Sequence, residues 1–137
     1  MHSLWFTLNN RLKYDIRRKE LEKTMTLIDE FTIQKTFVEW ARKQDFILLC
    51  FAVPNGFQSN RHNAIMMKRE GLLAGVPDVF CLLNNGKWAI IEFKTETGVV
   101  GPHQKEVIEK LQEGKQDVKV CRSTREAVLF VKEVLNA

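Results

Sequence analysis

The stretch between Gly75 and Gln104 constrains the fold of this 137-residue chain more than any other part of it. Two apolar segments flank an Asn-Gly turn, which is a strong sequence signal for a β-hairpin. Both segments are apolar on each face, so we predict two central, buried strands. The segments are Gly75-Val76-Pro77-Asp78-Val79-Phe80 and Trp88-Ala89-Ile90-Ile91-Glu92-Phe93-Lys94, and the turn is Asn84-Asn85-Gly86.

Three ionisable side chains lie in these apolar segments or at their ends: Asp78, Glu92 and Lys94. Side chains two residues apart on a strand point to the same face, so Glu92 and Lys94 are predicted to share one. Burying a charge costs roughly several kcal/mol unless the charge is paired or bound to a metal. Two carboxylates beside an ammonium meet that condition if a divalent cation lies between them, so the sequence predicts a metal site at this place.

The composition is that of one soluble domain. Hydrophobic residues make up 45% of the chain and charged residues 28%, both ordinary values, and the length suffices for a real core. No apolar run approaches membrane-spanning length, and the N-terminus lacks a clean signal-peptide core. Cys50, Cys81 and Cys121 each lie in an apolar segment without a CxxC pair, which predicts three buried thiols in a reducing compartment.

The positive charge of the chain is concentrated at its N-terminus. Residues 1–24 contain six Lys or Arg against three acids, a net +3, whereas residues 25–137 contain fifteen against fourteen, a net +1. We predict a basic and apolar arm over residues 1–24 and the folded domain over residues 25–137. A peripheral extension is favoured for the arm over a contact with DNA or a second subunit. The basic balance permits an anionic partner without demanding one.

The remaining pattern predicts an α/β fold, with a central mixed sheet flanked by helices. The expected order is helix, strand, helix or loop, strand, strand, helix, strand, helix. In the first periodic helix, about residues 27–43, the polar Glu30 and Gln34 fall within an apolar arc. The arc consists of Leu27, Phe31, Ile33, Phe37, Val38, Trp40 and Ala41. In a later helix, from Pro102 to the stop at Gly114, Gln104 is likewise directed inward.

These residues carry a resemblance. Pro77-Asp78, with Glu92-Phe93-Lys94 beginning fourteen residues after the aspartate, resembles the PD-(D/E)xK nuclease superfamily. The wider set, with the helical Glu30 upstream and Gln104 on the next helix, is similar to the VRR-NUC branch. Pro54-Asn55-Gly56 and Lys68 ahead of Gly71 add to the likeness, which covers roughly residues 27–135. The resemblance implies a restriction-endonuclease-like core related to archaeal Holliday-junction resolvases.

The resemblance also implies a function. It implies a Mg²⁺-dependent endonuclease, with Mn²⁺ able to substitute, that acts on branched DNA as a homodimer in replication, repair or recombination. A cytoplasmic, bacterial or phage-like protein without membrane association is expected. The catalytic residues are then Glu30, Asp78, Glu92, Lys94 and Gln104; the metal ligands are Asp78, Glu92, the Phe93 carbonyl and Glu30, the last through water; the candidate DNA contacts are Arg61, Lys68 and Arg69.

Two other classes of protein remain open at this point. The first is a non-catalytic nucleic-acid-binding module on the same fold. The second is a structural or interaction domain in which Asp78, Glu92 and Lys94 form a buried ion-pair network. Binding of a divalent metal separates the nuclease from both, because neither alternative requires it.

Overall fold

A computed structural model of the chain describes residues 2–54 and 61–137. Residues 55–60, which include Asn55 and Gly56 of the predicted loop, lie outside the described residues. The elements follow the predicted order. They are α1 (His2–Ala41), β1 (Ile47–Ala52), α2 (Arg61–Arg69), β2 (Val79–Leu83), β3 (Trp88–Phe93), α3 (Pro102–Glu113), β4 (Asp117–Cys121) and α4 (Thr124–Asn136).

The four strands form one mixed sheet in the order β1-β2-β3-β4, which confirms the predicted fold class. β1 pairs antiparallel with β2, and β2 pairs antiparallel with β3, whereas β4 joins β3 in parallel. The predicted hairpin therefore occupies the centre of the sheet. Its turn closes with a hydrogen bond from the Leu83 N–H to the Lys87 carbonyl, and Gly86 adopts a φ of 83°.

The main core lies on one face of the sheet, beneath α4 and the C-terminal part of α1. Alternate residues of β2 and β3 point to this face, as the pleat of a strand requires. Ser123 is the N-cap of α4, and its side chain accepts a hydrogen bond from the Glu126 N–H. The buried residues of this core include Phe37, Val79, Cys81, Leu83, Ala89, Ile91, Phe93, Ala127, Phe130 and Val131.

The opposite face of the sheet is covered less completely. α3 packs against β4 on this side, yet none of its residues is fully buried. On β1, β2 and β3 the same face carries three aromatic rings, from Phe51, Phe80 and Trp88. Phe51 and Phe80 are stacked with their centroids 5.6 Å apart, and Phe51 remains exposed. Glu92 also points to this side of β3.

α1 differs from the helix that the sequence predicts. It is one helix of 40 residues, about 60 Å long, and continues through the predicted boundary at residue 25. No proline or glycine interrupts residues 2–41, so nothing in the chain forces the helix to stop. Its C-terminal part reaches the core through Phe37 and Ala41. The prediction that Phe31 belongs to the buried arc is wrong, since 67% of that residue is exposed.

β1 is an edge strand with an irregular register. Between Ile47 and Leu49 the pairing with β2 shifts, which marks a β-bulge. Leu48 and Leu49 are exposed at this bulge. Pro54 comes two residues after the strand ends, and proline lacks the N–H that a further strand residue needs to donate.

Among residues 2–54 and 61–137, no helix combines the length and apolar character that crossing a membrane requires.

Gly75 brings the segment before β2 into contact with the first turn of α3. Its φ is 85°, a conformation that residues with a side chain rarely adopt. A Cβ atom at this position would lie 2.4 Å from the carbonyl carbon of His103 and 2.7 Å from the main-chain nitrogen of Gln104. The approach is therefore open only to glycine, and it sets the distance between α3 and the chain that leads to Asp78.

We expect Gly75→Ala to lower the free energy of unfolding by more than Gly86→Ala does. Both substitutions place a side chain at nearly the same positive φ, at a cost of about 1–2 kcal/mol. Only at Gly75 does the added methyl group meet main-chain atoms, for about 1–3 kcal/mol more. Urea unfolding of the two variants and the parent measures the difference. Equal losses at the two glycines would contradict the contact with α3.

Candidate metal centre

The structure brings together five polar residues that the sequence singles out. They come from four places in the fold: α1, the segment before β2, β3 with the turn that follows it, and the first turn of α3. The sheet is what joins them, because β2 and β3 are neighbours and α3 lies over the face to which Glu92 points. The five residues are Glu30, Asp78, Glu92, Lys94 and Gln104.

Lys94 lies between two carboxylates. Its Nζ is 3.7 Å from Glu92 Oε1 and 3.9 Å from Glu30 Oε1. The side chain of Lys94 is 15% exposed, that of Glu92 2% and that of Glu30 27%. These pairs are withdrawn from solvent, so the attraction between the charges is stronger than at an open surface. Glu92 and Lys94 share a face, as the two-residue spacing predicts.

Gln104 fixes the Glu92 carboxylate through both ends of its own amide. Its Oε1 accepts the Gly101 N–H at 2.8 Å, and its Nε2 donates to Glu92 Oε1 at 2.5 Å. Because a main-chain N–H can only donate, the amide oxygen must face Gly101 and the NH₂ group must face Glu92. Gln104 is thus bound to Glu92 rather than to Lys94, and it holds one carboxylate oxygen in place.

Asp78 is tied to the strands on either side of it. Its Oδ2 accepts the Phe93 N–H at 2.7 Å, and its carbonyl accepts the Val53 N–H at 2.8 Å. These contacts attach the carboxylate to the end of β3 and the main chain to the end of β1. The Phe93 main chain is therefore close to the first carboxylate, although a ligand role for the Phe93 carbonyl remains a prediction.

Burial raises the pKa of Glu92 to about 7. The negative charges of Asp78 and Glu30 act in the same direction, and the positive charge of Lys94 opposes them. The surroundings of Glu92 therefore disfavour the ionised form of its carboxyl group. A cation bound beside it would favour the ionised form and remove the like-charge repulsion with Asp78.

The donor set fits a hard divalent cation such as Mg²⁺. Two buried side-chain oxygens of the described residues, Glu92 Oε2 and Thr95 Oγ1, have no hydrogen-bond partner. Buried polar atoms rarely lack a hydrogen-bond partner. A carboxylate oxygen in this state is a suitable ligand for a metal ion. No group of three or more His, Cys, Asp or Glu suited to a metal occurs in that part of the chain. Mg²⁺ commonly uses one or two carboxylates and keeps several waters, so Asp78 and Glu92 suffice.

Sequence reasoning missed Arg122, which holds the turn after Lys94. Its Nη1 donates to the carbonyl oxygens of Thr95 and Gly98, both at 2.7 Å, and lies 3.3 Å from that of Glu96. The Lys94 N–H donates in turn to the carbonyl of Cys121, next to Arg122. A single arginine after a strand carries no sequence signal for such a clamp, because its partners are main-chain atoms 24 to 27 residues away.

The predicted DNA contacts lie on α2, an element that contributes none of the five site residues. Lys68 lines a groove of about 590 Å³ between the end of α2 and α3, together with Leu72, His103 and Val107. Arg69 is exposed in the last turn of α2, while the side chain of Arg61 lies outside the described part of the chain. Gln104 follows His103, so the groove begins beside the site. Contact of these basic residues with DNA remains a prediction.

Comparisons with known proteins identify the family. The profile of the VRR-NUC domain matches residues 17–125, most of the chain, and its match begins inside the predicted arm. A solved structure described as a VRR_NUC domain protein superposes with a TM-score of 0.63 at 21% sequence identity. That match covers 78% of this chain and 88% of the other, and at this identity it shows the shared fold. A search among curated proteins gives no match.

Without metal, we expect raising the pH from about 5 to about 8 to destabilise the parent relative to Glu92→Gln. The folded pKa of Glu92 is raised above its ordinary value of 4.5, so in this window the folded state binds more protons than the unfolded state. Stability is then lost as the pH rises, by on the order of 3 kcal/mol once Glu92 is ionised. Urea unfolding in a chelator measures this loss.

The control for this experiment is Glu109→Gln, an exposed position on α3. It should follow the pH dependence of the parent. Added Mg²⁺ should restabilise the parent at about pH 8 and leave Glu92→Gln nearly unchanged, because only the parent keeps both carboxylates. Parallel stability curves for the parent and Glu92→Gln would refute the assigned cost of ionising Glu92.

Proposed function

Because the chain belongs to the VRR-NUC family, we propose that it is a metal-dependent DNA endonuclease that hydrolyses phosphodiester bonds. The observation that carries the proposal is the state of Glu92: one oxygen is held by Gln104 while the other, buried, has no hydrogen-bond partner in the described structure. A purely structural ion-pair network has no need of such an oxygen. Asp78 lies close enough to raise the Glu92 pKa through its charge.

In this proposal Asp78 and Glu92 are the carboxylate ligands of Mg²⁺, with Mn²⁺ as a substitute. The Phe93 carbonyl would be a third ligand, and Glu30 would act through water. A bound Mg²⁺ ion neutralises phosphate charge and lowers the pKa of a water molecule. Gln104 keeps Glu92 Oε1 engaged, which leaves Oε2 as the oxygen to be directed at the ion.

Lys94 is the cation available to the reacting phosphate. Glu30 and Glu92 hold its ammonium group from two sides, so the group is positioned before the substrate arrives. An ammonium with three N–H donors can orient the attacking water or stabilise the charge that develops on phosphorus oxygens. Arg122 supports this geometry, since it fixes the turn through which the chain leaves Lys94.

We expect Lys94→Met and Asp78→Asn each to reduce the rate of DNA cleavage about 100-fold or more, because each removes transition-state or metal stabilisation. Gel assays with Mg²⁺, Mn²⁺ and chelator measure the rate, and thermal unfolding confirms that each variant is folded. Lys35→Ala is the matched control, since Lys35 pairs with Glu39 at 3.9 Å on the exposed surface of α1. A Lys94→Met protein that cleaves at the rate of the parent would contradict the proposal. DNA binding without cleavage by the parent would favour the non-catalytic alternative.

The long α1 helix bears on the substrate and on the assembly. Every described side chain in residues 4–24 is exposed, including the apolar Leu4, Leu8, Leu12 and Leu21. Leu4, Leu8 and Leu12 follow at four-residue spacing and so form an exposed apolar stripe on one side of the helix, the kind of contiguous patch that marks an interaction surface. We propose that α1 contributes to a two-fold homodimer, the commonest closed assembly of soluble proteins. Two sites then cut a four-way junction symmetrically, whereas a monomer suits a flap.

The basic residues fit an electrostatic contact with the DNA backbone. Arg17 and Lys19 are exposed on α1, and Arg18 forms an exposed pair with Glu22 at 2.9 Å. We propose that these residues lie near DNA, with Arg61, Lys68 and Arg69 nearer the cut site. Contacts of this kind position the duplex and carry no base sequence. Selectivity is therefore proposed for branched DNA shape, in replication, repair or recombination.

We expect the double substitution Leu8→Glu and Leu12→Glu to convert a dimer of the full chain into a monomer, because charge at a buried apolar contact is costly. Light scattering measures the mass in solution. The double substitution Asn9→Glu and Asn10→Glu places the same two charges at exposed polar positions of the same helix and serves as the control. The double variant should also lose rate on a four-way junction relative to a flap. A parent that is monomeric, or a double variant that remains dimeric, would contradict the role of α1.

A further inference from the structure

Two cysteine side chains face each other across β1 and β2. Cys50 and Cys81 are directly opposed in the antiparallel register, and their sulfur atoms are 3.4 Å apart. Cys81 is fully buried, and Cys50 is 8% exposed. The third thiol, Cys121, lies on β4 at the far side of β3. The proposed nuclease chemistry uses none of the three.

The register also gives the spacing of the two main chains. The Val53 N–H donates to the Asp78 carbonyl, so these opposed residues form a hydrogen-bonded pair. In an antiparallel ladder such pairs alternate with non-hydrogen-bonded pairs, which makes Cys50 and Cys81 one of the latter. Opposed Cα atoms in such a pair are about 4.5 Å apart, within the range of about 4.4–6.8 Å that a disulfide spans.

We propose that Cys50 and Cys81 are an oxidisable pair that a peroxide converts into a cross-strand disulfide within one chain. The register already places both Cα atoms and both sulfur atoms near the geometry of the product, so no strand has to move far. Under reducing conditions the pair remains two thiols and contributes to the core. The disulfide forms only when the folded protein meets an oxidant.

The two thiols take different parts in the reaction. The hydrogen bond from the Cys81 thiol lowers the pKa of Cys50, and the positive charge of Arg42 lowers it further. Burial acts in the opposite direction. The same bond raises the pKa of Cys81. Cys50 is also the more exposed of the two thiols, so we assign it as the nucleophile: its thiolate attacks one peroxide oxygen, giving a sulfenic acid and one water molecule after protonation. The Cys81 sulfur then displaces the hydroxyl group, which leaves as water with the Cys81 proton. The balance is two thiols and one hydrogen peroxide to one disulfide and two waters.

The bridge closes the segment 51–80 into a loop. That segment contains α2 with Lys68 and Arg69, and it ends beside Asp78 at the start of β2. A covalent link between the strands at its ends restricts the ways in which the edge of the sheet can open. Oxidation should therefore slow amide exchange at residues of β1, and a reductant should restore the rate.

To test the proposal, the full chain is treated with hydrogen peroxide, then unfolded in the presence of a thiol-blocking reagent, and the blocked thiols are counted. We expect one of the three thiols to remain, and dithiothreitol to recover all three. Trypsin identifies the partners without any substitution, since Cys50, Cys81 and Cys121 fall in the separate peptides 44–61, 70–87 and 120–122. A linked 44–61 and 70–87 pair from monomeric protein supports the proposal. Three remaining thiols, or a link between two chains, overturns it.

Three variants sharpen this measurement. Cys121→Ala should lose both of its thiols on oxidation, because the opposed pair is intact. Cys50→Ala and Cys81→Ala should each form no disulfide within one chain, since the two cysteines that remain lie on strands that are not neighbours in the sheet. Loss of two thiols from the Cys50→Ala protein while it stays monomeric would overturn the pairing. The tryptic result on the parent stands even where a variant fails to fold.

Discussion

The arrangement of this protein depends on the cost of placing the Glu92 carboxylate inside the fold. Glu92 lies on a central strand, 1% exposed, where an ion without partners would destabilise the chain. Lys94 offsets part of that cost with its charge, and Gln104 satisfies one oxygen. Its other oxygen has no hydrogen-bond partner among the described residues, and burial keeps the pKa of Glu92 raised. In the proposed function a bound cation would complete the compensation, and the stability lost without it would be the cost of keeping the site ready.

Much of this architecture is readable from the sequence because local and long-range signals agree. The Asn-Gly turn, the doubly apolar strands and the capping residue Ser123 each specify an element by themselves. The inward direction of Gln104 follows from helical periodicity, and the shared face of Glu92 and Lys94 follows from the strand repeat. Those two periodicities suffice to predict that side chains far apart in sequence meet at one place.

Other features depend on contacts that periodicity does not record. Arg122 acts on main-chain carbonyls, which look alike at every position of a sequence. The approach of Gly75 to His103 is a distance between two backbones, and a glycine by itself does not say what lies near it. The length of α1 was also not predictable, because amphipathic patterning detects where a helix is buried and not where an exposed helix ends. Phe31 shows the same limit, since it fits the apolar arc yet is mostly exposed.

The bulge in β1 has a consequence for solubility. An edge strand offers unpaired N–H and C=O groups to any other strand. The exposed side chains of Leu48 and Leu49 add apolar surface to that edge. The bulge between Ile47 and Leu49 breaks the regular repeat of these groups, and Pro54 removes a donor just past the strand end. A neighbouring strand can therefore match only a few residues before it falls out of register. An irregular edge of this kind is one of the features by which proteins hinder the edge-to-edge association of their sheets.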